Sequence, residues 1–197
     1  MTDLRRMPLA VISVLVMCTV VASCTKATPE SSARFQLHVL DISWGDPTDP
    51  DLGYTRDTAW PVLKNLDWEQ SSIWTITEQD IELYDWNQQT ITLTVEATTD
   101  LRQAFDDDAL SRWMIGQTFV VTCDGDWVYG GVFYLPEGAA GIDFPAIYLQ
   151  YSEREQAVLV LRSSHARCLF VDHPRCVSDL QYPEIRVVFA KHNKLVE

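Results

Sequence analysis

Four residues in the last third of the chain, His165, Cys168, His173 and Cys176, stand as H-x2-C-x4-H-x2-C in the run HARCLFVDHPRC. Two imidazole nitrogens and two thiolates are a ligand set that can hold a tetrahedral zinc. The gap between the two pairs is much shorter than in usual zinc fingers. In an oxidising compartment a Cys168–Cys176 disulfide across a small loop is the simpler reading. Unpaired thiols are the third reading, and reach is not set by the sequence, because bridged Cα atoms must come within about 7 Å. Cys123 closes an apolar strand and reads as a buried, inert thiol. A nucleophile there would want a nearby base, and no local Cys-His signature accompanies it. Asp46, Asp49 and Asp51 in GDPTDPD offer the oxygen ligands calcium prefers. They lack the glycine and distal glutamate of an EF-hand loop, so a solvated loop is expected. Asp106, Asp107 and Asp108 read as a polar helix end. Serine-hydrolase elbows, phosphate-binding glycine loops and HExxH do not occur, and no cofactor is expected.

Tryptophan occurs 7 times. Its flat face suits peptide and carbohydrate sites, and equally it fills small cores. Trp74, Trp113 and Trp127 sit in periodic segments and are expected in the core. Trp44 and Trp60, with Tyr54, lie in or beside loop-like sequence and are the candidate ligand-contacting residues.

The first residues set the compartment. Arg5 and Arg6 precede an uncharged, mostly apolar run from Pro8 to Val21, and Val21-Ala22-Ser23-Cys24 follows. A basic head, an apolar middle of roughly 7–15 residues and a small-residue cut site describe a secretory signal. The run is shorter than the about 20 residues that a spanning helix needs. Val21-Ala22-Ser23-Cys24 resembles the bacterial lipobox: an aliphatic residue, two small ones, then cysteine. The resemblance implies cleavage before Cys24, a diacylglyceryl thioether on its sulfur and an acylated amino group. Several acyl chains, at about 0.8 kcal/mol per buried CH₂, anchor stably. Thr25 stands where aspartate would mark inner-membrane retention, so the resemblance implies the outer membrane in a Gram-negative host. Residues 1–23 are thus read as signal peptide and 24–33 (CTKATPESSA) as a flexible tether. Residues 34–197 are read as one domain.

Hydrophobic residues make up 47 % of the chain, enough for a substantial core, and the net charge is -13. That acidity argues against nucleic acid, which is bound by basic patches. It also argues against flat docking on anionic lipid.

The elements that would position these residues follow from periodicity. Phe35, Leu37 and Val39 alternate with Gln36 and His38, predicting a half-buried strand over 34–43. A loop follows over 45–58, and Trp74-Thr75-Ile76 predicts a short strand. Thr77 with Asp80 looks like a capping box, and Ile81 and Tyr84 share a helical face, predicting a short helix. Residues 89–94 predict a strand, and Thr94 caps a helix from Val95 to about Phe105. Asp124-Gly125 between two apolar runs predicts a hairpin over 117–135. A second hairpin is expected over 146–162, and a helix over 183–192 stopped at Asn193. The expected fold is α+β: a mainly antiparallel sheet of about five or six strands with two or three helices packed on one face.

The pieces ITLTVEA at 91–97, Gly116 and FVVTCDGDWVYGG at 119–131 resemble the β-α-β-β pattern of the first periplasmic domain of the SecD translocase subunit. The resemblance covers about a quarter of the chain and implies fold rather than role. The expected function is a membrane-anchored, non-catalytic module that binds an envelope protein or peptide. The alternatives are a metal-binding lipoprotein using His165, Cys168, His173 and Cys176, and an envelope hydrolase or thiol enzyme.

Overall fold

Phe35, Leu37 and Val39 do point to one face of a strand, β1 (Phe35–Ser43). The computed structural model describes residues 34–43, 56–105, 116–134, 143–164 and 178–197. After β1 come helices α1 (Arg56–Lys64) and α2 (Trp68–Ser71), then strands β2 (Ser72–Thr77), β3 (Ile81–Asp85) and β4 (Thr90–Leu93). Helix α3 (Val95–Phe105) leads to β5 (Gln117–Cys123) and β6 (Asp126–Phe133). The chain continues as β7 (Ala146–Tyr151), β8 (Ala157–Arg162), helix α4 (Pro183–Lys191) and β9 (Leu195–Val196).

All of these strands join one sheet in the order β2-β1-β5-β6-β7-β8-β4-β3-β9. Pairs β6–β7 and β3–β9 are parallel and the rest antiparallel. This corrects the expected five or six strands with two or three helices: the sheet is mixed, has nine strands, and carries four helices among the described residues. Nor do the helices share one face. Ala97 and Leu101 of α3 and Ile185, Val188 and Phe189 of α4 join Phe35, Phe119 and Val121 in the main core. Ala59 and Leu63 of α1 instead cover Leu40, Val120 and Val132 on the opposite face.

Two local features explain the miscount. Ile81 and Tyr84 are both buried, and their three-residue spacing mimics a helix. The register between β3 and β4 shifts between Ile81 and Leu83, so a bulge turns both side chains to one face of a strand. Thr77 and Asp80 do make half of the expected cap. The Asp80 carboxylate accepts from the Thr77 amide and hydroxyl at 2.8 Å each, but it closes a turn. Helix α1 starts at Arg56, inside the expected loop over 45–58, and carries Pro61, which normally ends a helix, in its interior.

Other local signals act as their chemistry dictates. Thr94 caps α3 by accepting from the Ala97 amide at 3.1 Å. Asp124 and Gly125 take φ of 54° and 85°, as a tight hairpin with two left-handed central residues demands. Asn193 stops α4 at φ 56°.

His38, read as solvent-facing, is buried at 3 % exposure because α2 folds over that face of β1. Its Nδ1 lies 3.0 Å from the Ser72 hydroxyl. Burial lowers its pKa from 6.5, against an opposing pull from Glu69. The unfolded chain therefore takes up a proton that the folded chain resists. The contribution of His38 to stability should be constant above pH 6.5 and fall as pH drops below it, levelling once His38 itself titrates in the fold. Urea midpoints on either side of pH 6.5 measure this, and His38→Gln should remove its share of the slope.

Candidate functional site

Cys24, Trp44, Tyr54, His165, Cys168, His173 and Cys176 lie outside the described residues, as do Trp113 and the three aspartates of each acidic run. Of the candidate ligand-contacting residues, Trp60 alone is described. It is half-buried on α1 and sits at a seam in the sheet. The Val132 amide donates to the Pro145 carbonyl across the β6–β7 join. Gly130, two residues earlier, turns its backbone to the same side, before β7 begins. The Trp60 indole N–H fills that gap, donating to the Gly130 carbonyl at 2.9 Å.

The ring's other contacts fix it further. Trp127 meets it edge-on, with centroids 6.2 Å apart. The Arg56 guanidinium lies 5.3 Å from its centroid and donates to the Ser163 carbonyl at 2.7 Å. Trp68, from α2, packs on Trp127 and donates to the Leu63 carbonyl at 2.7 Å. Trp60, Trp68 and Trp127 together staple the two short helices to the sheet. Trp74 and Trp127, expected in the core, are half-buried against the main core and the smaller one respectively.

Cys123 lies in the main core at 6 % exposure. Burial first, then the Asp124 and Glu184 carboxylates, push its thiol up to about 12. A thiol held protonated is a poor nucleophile. Neither described histidine reaches it as a base. Cys123 pairs with Phe35 and His38 with Val120, so the two side chains point to opposite faces of the sheet. His192 caps the far end of α4 from Glu184, about 12 Å along the helix. Tyr84 and Tyr129 are buried beside Cys123, and burial raises both phenols above their ordinary range. Among the described residues no group of histidine, cysteine, aspartate and glutamate could hold a metal.

A groove among the described residues lies elsewhere. Pro183, Arg186, Val187 and Ala190 of α4, with Asn193, Leu195 and Glu197, line a groove of about 780 Å³ at the β9 edge of the sheet. Arg186 and Glu197 form an ion pair across it. Val187 is 62 % exposed. Its walls mix the short apolar side chains of Pro183, Val187, Ala190 and Leu195 with Arg186, Asn193 and Glu197. The sequence signal for this groove was present in the helical repeat of residues 183–190, whose outer side repeats Pro183, Val187 and Ala190.

No family model, curated protein or solved structure matches this chain. The lipobox and the SecD resemblance therefore rest on the quoted residues. No described helix is long and apolar enough to cross a membrane.

Proposed function

We propose that this chain is an exported lipoprotein, anchored through lipids on Cys24, whose folded part is a non-catalytic binding module for an envelope protein or peptide. In a Gram-negative host the outer membrane is its place, since Thr25 is not aspartate. One contrast carries the reading of the module. Cys123 is sealed in the core with the described His38 and His192 out of reach, while a groove beside α4 presents Val187, Ala190 and Leu195 next to the Arg186–Glu197 ion pair. A groove of that make is a contact surface rather than a reaction chamber.

The test uses the full-length chain in living cells, with a photoactivatable phenylalanine analogue placed at Val187 or at Tyr151. Tyr151 is also exposed, on β7 and away from the groove. The expected result is a discrete covalent protein adduct from position 187 that position 151 does not give. No adduct at 187, or the same adduct from both positions, would remove the groove as a contact surface.

A further inference from the structure

The two ends of the sheet are finished differently. β9 is two residues long, too short to template another strand. β2, at the other end, has no further strand beside it among the described residues. It reads SIWTIT, without proline or charge, and consists mostly of residues that favour strands. A bulge guards its start, where the register with β1 shifts between Val39 and Leu40. A turn closes its end. The Thr77 amide donates to the Asp80 carboxylate at 2.8 Å, and the Thr77 carbonyl accepts from the Asp80 amide at 3.1 Å.

That turn shows which backbone groups are left open. Both Thr77 groups point away from β1, so Gln36 and Thr77 are a pair without mutual hydrogen bonds. Such pairs alternate along an antiparallel ladder, and His38 with Thr75 is the next. The Thr75 N–H and C=O therefore point out of the sheet, to the side where no described strand lies. Ile73, further along this edge, is 39 % exposed.

The surroundings select the charge of a partner. No lysine or arginine occurs from residue 65 to residue 101. Glu69 acts electrostatically on His38, the residue paired with Thr75, so its carboxylate lies near the open position. Leu40 pairs with Ser72, which sets Asp41 beside the start of β2. Asp41 and Glu69 are exposed, and neither carboxylate has an ion pair among the described residues. An added strand would gain main-chain hydrogen bonds at Thr75 and meet uncompensated negative charge beside it.

We propose that the β2 edge takes up an extended, lysine- or arginine-rich segment of another protein as an added strand. This surface lies at the opposite end of the sheet from the α4–β9 groove and does not depend on it. Thr75 supplies the strand pairing, while Asp41 and Glu69 select a cationic segment over an anionic one.

The experiment uses the full-length chain in neutral detergent micelles at low salt. It is titrated with a fluorescent peptide of sequence TKVKTKV with blocked ends, and binding is read by anisotropy. The controls are the same peptide with glutamate for lysine, and the lysine peptide with every backbone amide N-methylated. Saturable binding of the lysine peptide is expected, weakened at least about tenfold by N-methylation, which keeps the charges and removes the donors. Asp41→Lys with Glu69→Lys should weaken it about tenfold. Thr75→Pro removes the outward amide without touching a bond to β1 and should also abolish it. Val187→Ala, in the groove, should leave it unchanged. No saturable binding, equal binding of the glutamate peptide, or equal binding of the N-methylated peptide would each overturn the proposal, the last by reducing it to charge attraction alone. The N-methylated probe leaves the protein untouched, so its result stands whatever Thr75→Pro does to folding. Failure here leaves the photo-adduct test at Val187, and the module reading with it, as they were.

Discussion

Gly131→Ala is expected to cost about 3 kcal/mol or more, a large part of the 5–15 kcal/mol that holds a typical domain together. A methyl group at this position would lie 2.1 Å from the Pro145 carbonyl oxygen and 2.6 Å from the Phe119 ring. The first obstacle is backbone and cannot swing aside. Gly131 pairs with Phe119 of β5 next to the point where β6 also takes up β7, and Pro145 accepts the Val132 amide at that join. Pushing Pro145 away opens the link between the two halves of the sheet. Urea denaturation followed by tryptophan fluorescence measures the loss. A midpoint within error of the parent would mean that β6 and β7 are not joined this way.

Phe189→Ala is expected to lose about 3–5 kcal/mol. Phe189 is fully buried, with its ring 5.0 Å from Phe35 and 4.7 Å from Tyr84. It thereby ties α4 to β1 and to β3 across the main core. The Lys194 amide, just beyond the helix, donates back to the Phe189 carbonyl at 2.9 Å. Lys194 in turn accepts from the Tyr84 amide at 2.7 Å, which docks β9 on β3. Truncation should therefore unsettle the groove and the fold together. Val187→Ala, on the outer side of the same helix, should change stability by less than about 0.5 kcal/mol. Equal losses from the two substitutions would contradict the two-sided reading of α4.

Where the sequence was legible, one local signal decided the outcome. Asp124-Gly125 can hardly do anything but turn, and Thr94 caps α3 because its hydroxyl reaches the Ala97 amide. The misreadings arose where long-range pairing overrode a local period. Ile81 and Tyr84 share a face through a bulge that exists only because β4 lies alongside. β9 is two residues long and is a strand only by virtue of Tyr84 and Asp85. His38 sits in a polar position of an alternating pattern, yet α2 covers it. Trp60 reads as a surface aromatic beside a loop, but the gap it fills belongs to β6, far along the chain. The groove was written in residues 183–190 as a helix with a second apolar side, which a search for one core-facing stripe passes over.

The anchor proposed on Cys24 underlies the placement proposed for this protein. The intact mass of the full-length gene product recovered from bacterial membranes tests it in one step. The expected mass is that of a chain beginning at Cys24 and carrying a diacylglyceryl group with a further acyl chain, and Cys24→Ser should leave the leader uncleaved. A membrane-extracted chain that starts elsewhere, or that starts at Cys24 without lipid, would contradict the lipoprotein reading.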